Sequence, residues 1–242
     1  MLGEIYMKKL MAVLICAVLL LSFSACGEKK EQDTPSTSVH TVKEVPEIVK
    51  NSTVTDKGGL EIFDGVYLIS LAPYSGKFVE DGSDDELSDI LSAEIVNTTS
   101  VSYELIDFYL TFEQGTYFFS VSSLFANSRL VVLEKNRAYF PPDTKVLNSG
   151  VSRFVKFSEA PTVHLDEFRI TYTDSIINVE NLTDADIDNV YVYYKSMKND
   201  VFFGGITYRV KVGTVKSGAT VQTVAGKFKA DSTRIVFVTY DK

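Results

Sequence analysis

The chain has 242 residues and a formal net charge of −8, with two cysteines, two histidines and no tryptophan. So acidic a chain repels phosphate backbones, which argues against nucleic acid as a partner. Its only cysteines are Cys16 and Cys26, so nothing after residue 26 can form a disulfide staple, a thiol nucleophile or a thiolate metal site.

Met7 to Leu21 reads MKKLMAVLICAVLLL. A basic start at Lys8 and Lys9, a short apolar core from Leu10 to Leu21, and small residues at Ser24 and Ala25 give the three-part order of a secretory signal. That core is too short to span a bilayer, which takes about 20 residues. Phe23-Ser24-Ala25-Cys26 resembles a bacterial lipobox, in which the cysteine receives a diacylglyceryl group and becomes the mature N-terminus. Cys26 is therefore the candidate lipidation residue. The alternative is cleavage after Ala25 by an ordinary signal peptidase, which leaves a free thiol. Two acyl chains hold a protein stably, because each buried methylene contributes about 0.8 kcal/mol. Loss of residues 1–25 removes two lysines and one glutamate, so the charge of −8 becomes −9. A body so acidic does not adhere to an anionic membrane, and contact with the membrane falls to the lipid. The expected location is the outer face of a bacterial cytoplasmic membrane.

Residues 26–59 are rich in Ser, Thr, Lys and Glu, and no aromatic residue occurs between Phe23 and Phe63. Such a segment does not recover its ordering entropy by burial, so it reads as a flexible, disordered tether. As a coil it reaches on the order of 30 Å. His40 lies within it.

From Leu60 onward, short runs of Val, Ile, Phe, Tyr and Thr alternate with polar residues between turn-forming clusters, which is strand grammar. The sole helix-like stretch is Asp84 to Leu91, DDELSDIL, one or two turns long. An internal repeat is visible. Ala93 to Thr99 (AEIVNTT) and Ile177 to Thr183 (INVENLT) both alternate and then close on Asn-x-Thr. Ile106, Phe108 and Leu110 share one face in the first copy, and Val190, Val192 and Tyr194 share one in the second. Asn127 and Gly218 fall at equivalent points and tolerate a positive φ, which predicts a tight turn at each. The second copy is longer around KSMKNDVFFGG, which predicts a longer hairpin with a bulge or bend at Gly204-Gly205.

These patterns predict an all-β chain: two tandem antiparallel Ig-like β-sandwich domains after a signal peptide and flexible linker, at 60–158 and 161–242. The core tryptophan and disulfide of true immunoglobulin domains are missing, so the likeness is one of architecture. The short Ser158–Pro161 connection predicts little interdomain freedom. SSLFANSRLVVLEKNRAYF and INVENLTDADIDNVYVYYKSMKNDVFFGGITYRVKV resemble segments of surface lipoproteins from clostridial-type Firmicutes. The resemblance runs over most of residues 90–240. It implies a Gram-positive surface lipoprotein and no particular activity.

Asp81, Asp84, Asp85 and Glu86 cluster, and Asp184, Asp186 and Asp188 alternate. A calcium loop of EF-hand type needs Gly at its sixth place and Glu at its twelfth, where this chain has Asn189 and Lys195. These stretches read as solvated turns, and no metal site or cofactor is expected. No Gly-x-Ser-x-Gly elbow occurs. His164, read as a strand residue, shares a side with Asp166 and not with Glu167. It reads as a domain-entry residue, so the chain is not expected to be an enzyme. Tyr109, Tyr191 and Tyr193 fall opposite the predicted cores and are the candidate partner-binding residues, for a protein or glycan ligand; ordinary cross-strand packing is the competing explanation. Asn51, Asn97 and Asn181 head Asn-x-Ser/Thr triplets, which read as turn chemistry. The function expected is a membrane-anchored, non-catalytic binding or structural module at the cell envelope. The alternative is an envelope-associated hydrolase or solute-binding lipoprotein.

Overall fold

The computed structural model describes residues 38–43, 59–83 and 85–241. The signal segment, Cys26, Asn51 and Asp84 lie outside the described residues. Those described form strands and no helix: β1 (His40–Thr41), β2 (Leu60–Phe63), β3 (Val66–Lys77), β4 (Glu86–Asn97), β5 (Tyr103–Phe112), β6 (Gly115–Leu124), β7 (Ser128–Leu133), β8 (Asn148–Lys156), β9 (Phe168–Thr173), β10 (Ile176–Asn181), β11 (Ile187–Lys198), β12 (Val201–Val215), β13 (Thr220–Val224) and β14 (Thr233–Thr239). The protein is all-β, and its sheets are antiparallel apart from one pair of strands.

The two-residue side-chain period decides which face is buried. In β5, Ile106, Phe108, Leu110 and Phe112 point inward; in β11, Val190, Val192 and Tyr194 do the same. The same pairing scheme occurs in both halves of the body. In the first, β2-β3-β4-β7 lie side by side and β5 pairs with β6 and β8. In the second, β1-β9-β10-β13 lie side by side and β11 pairs with β12 and β14.

The strongest match is at Asn-x-Thr. Asn97, fully buried, donates through Nδ2 to Val101 O (2.8 Å) and Phe125 O (2.9 Å), and its Oδ1 accepts from Thr99 N and Oγ1. Asn181, also fully buried, donates to Ala185 O (2.7 Å) and Val215 O (2.9 Å), and accepts from Thr183 N and Oγ1. Each asparagine thus closes a turn from inside the protein. Asn127 and Gly218 both take positive φ, at 51° and 65°.

Three features depart from the sequence reading. First, Glu86 to Leu91, most of the stretch read as helix-like, supplies the start of β4. Ile90 and Leu91 are buried, residues 86–91 pair with β3, and Asp89 has a φ of 55°, which no right-handed helix accepts. Second, part of the stretch read as tether is ordered. His40 and Thr41 pair with Tyr172 and Thr171 of β9, Val42 N donates to Ile170 O (2.9 Å), and the His40 ring stacks on Tyr172. The second half therefore takes its first strand from chain that precedes the first half.

Third, the halves share a sheet. Its order is β14-β11-β12-β7-β4-β3-β2, with β12 and β7 parallel through Phe202–Leu130 and Phe203–Val131. The extra residues of the second copy make this bridge. The β11–β12 hairpin turns at Asn199 and Asp200, both at positive φ, and residues 204–207 bulge out opposite Lys195. The two main cores follow the halves, except that Phe202, Val236 and Phe237 enter the first. Phe237 and Phe125 meet edge to face at 6.3 Å, and Phe157 lies against Phe237 at 5.5 Å.

Candidate functional site

The bulge in β12 builds the most strongly perturbed group of charges among the described residues. Gly205 must be glycine: a Cβ there would fall 1.9 Å from Ser120 O. That close approach brings Gly205 N within 2.7 Å of Glu80 Oε2, while Leu133 N donates to Oε1 at 2.8 Å. Opposite, the buried Lys195 Nζ donates to Ser122 O (2.8 Å), Ile206 O (3.2 Å), Gly205 O (3.3 Å) and Thr207 Oγ1 (3.2 Å). Ser122 Oγ in turn donates to Gly205 O and accepts from Thr207 N.

Burial pushes the Glu80 carboxyl up to about 7, against the pull of its two backbone N–H donors and of Lys195. Burial also drives Lys195 down to about 7, opposed by the Glu80 charge. A pocket of about 320 Å³ opens beside them, lined by Glu80, Ser120, Ser122, Lys135 and Gly205 among others. A displaced acid and base at a pocket mark a candidate active site. Here, however, both carboxylate oxygens accept backbone donors, and the ammonium is surrounded by carbonyls and a hydroxyl. The arrangement holds the bulge and binds the two halves to each other.

A second cluster forms at the entry to β9. Residues 164–168 make a turn, with Glu167 N and Phe168 N both donating to His164 O, and His164 takes a φ of 51°. The turn places His164 Nδ1 3.5 Å from Glu167 Oε2, contrary to the strand geometry expected from sequence, which paired His164 with Asp166. Tyr240 OH donates to the same Glu167 oxygen. Burial, then that carboxylate, push the Tyr240 hydroxyl up to about 12, so it is no ready proton donor. A pocket of about 330 Å³ lies alongside, walled by Phe157, Pro161, His164, Phe237 and Tyr240 among others.

The three candidate tyrosines take different environments. Tyr193 stacks on Phe237 at 4.2 Å and packs against the first core. Tyr191 lies under Arg209 at 4.9 Å and Lys211 at 5.9 Å. Tyr109 stands on the outer face of the β6-β5-β8 sheet. There Phe118, Tyr109 and Gly150 form one row across the strands. The row on one side is Ser120, Asp107 and Arg153; the row on the other is Thr116, Thr111 and Asn148.

Four of the acidic residues in these stretches, Asp81, Asp85, Asp186 and Asp188, are engaged by hydrogen bonds or ion pairs within the protein. Arg137 pairs with Asp81 and with Asp85 (2.9 Å). Hydrogen bonds from Ser83, then Arg137, hold the Asp81 carboxyl down to about 2. Asp186 accepts from Ser217 N, and Asp188 accepts from Thr214 Oγ1. Among the described residues no group of three or more His, Cys, Asp or Glu is placed to hold a metal ion, and no helix is long and apolar enough to cross a membrane.

Glu80, Lys195, Asp107 and Phe118 are absent from the candidates raised by sequence. One signal was present for Lys195: a cationic residue that ends the apolar run Tyr191-Val192-Tyr193-Tyr194, with a Gly-Gly pair close downstream. No protein-family model matches the chain, and no curated protein matches it.

Proposed function

We propose that the protein is a lipid-anchored, non-catalytic binding or structural module on the outer face of a bacterial cell envelope, built from two interlocked Ig-like sandwiches. The observation that carries the non-catalytic reading is the Glu80–Lys195 junction. The groups with the most displaced acidities are tied to main-chain partners from both halves, so they serve rigidity. A continuous sheet through both halves supports the same reading, because a stiff body presents fixed faces to a partner. The anchor rests on Cys26 behind a short apolar segment.

Fractionation of a Cys26→Ala variant tests the anchor. The wild type is expected in the membrane fraction and the variant in the soluble or secreted one; a variant that stays with the membrane refutes lipidation at Cys26. Capture of envelope material by the wild-type protein, with no turnover of captured glycan or peptide, is the expected behaviour of a binding module. Turnover abolished by His164→Ala or Glu80→Gln would replace this reading with an enzymatic one.

A further inference from the structure

The outer face of the β6-β5-β8 sheet is the surface whose chemistry is most specific. Tyr109 lies flat across β8: a Cβ at Gly150 would stand 2.8 Å from its hydroxyl and 3.1–3.2 Å from its ring carbons. The absence of a side chain at Gly150 is what allows the ring to lie down. Phe118, its cross-strand partner, is 44% exposed. Phe118 rises from β6 and the Tyr109 ring leans the other way over β8, so the two rings spread the apolar strip across all three strands.

The polar groups on either side are ordered. Arg153 clasps Asp107 Oδ2 through Nε (2.8 Å) and Nη2 (2.7 Å), while Asp107 Oδ1 is buried without a hydrogen-bond partner. On the other side the Thr111 and Thr116 hydroxyls meet at 3.1 Å. Each polar row lies two residues from the aromatic row, or about 7 Å. An apolar strip flanked at that distance by hydroxyls and a carboxylate–guanidinium pair suits a ligand with flat C–H faces and hydroxyl edges. That is a pyranose chain.

Charge narrows the class. Asp107 and Arg153 cancel within the face, and the exported body is acidic overall. An uncharged sugar is complementary to such a face; a uronic or phosphorylated one is repelled. We propose that Phe118 and Tyr109 form a stacking platform for an uncharged pyranose polysaccharide, with the Asp107–Arg153 pair and the Thr111–Thr116 hydroxyls binding the sugar edges. The proposal rests on the binding-module reading and names its ligand class.

The test uses the full-length protein in mild detergent, with insoluble cellulose and chitin and their soluble tetrasaccharides as probes. Binding to at least one uncharged glycan is expected. Tyr109→Ala and Phe118→Ala should each weaken it tenfold or more, Tyr109→Phe should retain it, and Tyr191→Ala should leave it unchanged. A Gly150→Val variant, which keeps the ring but forces it off β8, should weaken binding as Tyr109→Ala does. Thermal melts identify any variant that fails to fold, and Tyr109→Phe together with Tyr191→Ala keeps the comparison decisive in that case. No binding to any uncharged glycan, or binding that Tyr109→Ala and Phe118→Ala leave intact, overturns the proposal. An envelope protein captured equally by wild type and Tyr109→Ala would overturn it while leaving the binding-module reading in place.

Discussion

Glu80 keeps a carboxyl where burial raises its pKa from 4.5 to about 7, so folding draws protons onto it across that interval. Its contribution to stability is complete below pH 4.5 and declines as pH climbs through about 7. Lys195 works in the opposite sense above neutrality, because its pKa falls from 10.5 to about 7 on folding. Glu80→Gln removes the first effect and takes an opposing charge away from Lys195. Melting curves at pH 5, 6, 7 and 8 should therefore show the wild type losing stability relative to the variant as pH rises from 5 to 7. A difference that stays constant over that range would mean Glu80 titrates normally. None of this was legible in the sequence. Glu80 sits in an acidic loop that reads as solvent-exposed, and only a tertiary contact across a separation of 125 positions brings the Gly205 N–H against it. The turn chemistry of Asn97 and Asn181 was legible, because their bonds to the threonine two residues on are local; their bonds to Phe125 O and Val215 O, 28 and 34 positions away, were not. Each asparagine makes four hydrogen bonds, individually worth about 1 kcal/mol.

At the scale of single elements, alternation located the central strands and overlooked β1. Two residues cannot show a period, and the composition around His40 is that of coil. What orders them is an edge that β9 would otherwise leave open, together with the packing of Val42 against the second core. The start of β4 shows the complementary error: a short helix-like acidic stretch yields to pairing with β3 and a bridge from Ile90 to Tyr139. If β1 is a docked edge strand, Val42→Pro should detach it by removing the donor to Ile170 O. Hydrogen exchange at β9 amides should then speed up by at least tenfold, with the overall melting temperature lowered by only a few degrees. Unchanged protection of β9 would show that β1 contributes nothing to that edge.

The molecule as a whole is less divisible than its internal repeat suggests. Phe202 and Phe237 belong by sequence to the second half and by packing to the first core. Burial of each is worth about 2–3 kcal/mol, a large share of the 5–15 kcal/mol that separates folded from unfolded domains. A fragment comprising residues 161–242 leaves both phenylalanines uncovered and lacks β1. It should give no cooperative thermal transition, and a sharp transition would establish that the second half folds by itself. The repeat was readable because each copy keeps its own pairing scheme. The fusion was not, since it depends on a short parallel contact between β12 and β7, for which neither strand carries a local signature.

Because β1 precedes the first half and its partner β9 follows it, the order of synthesis matters. The ribosome releases His40 about 130 residues before Tyr172, which at roughly 5–20 residues per second is an interval of order ten seconds. During that time the strand has no mate, while the whole first half can assemble behind it. β9, which emerges only after the first half is complete, must then reach back to a segment made near the beginning, so the chain closes a circuit around the first half while its final strand β14 goes to the other, larger sheet.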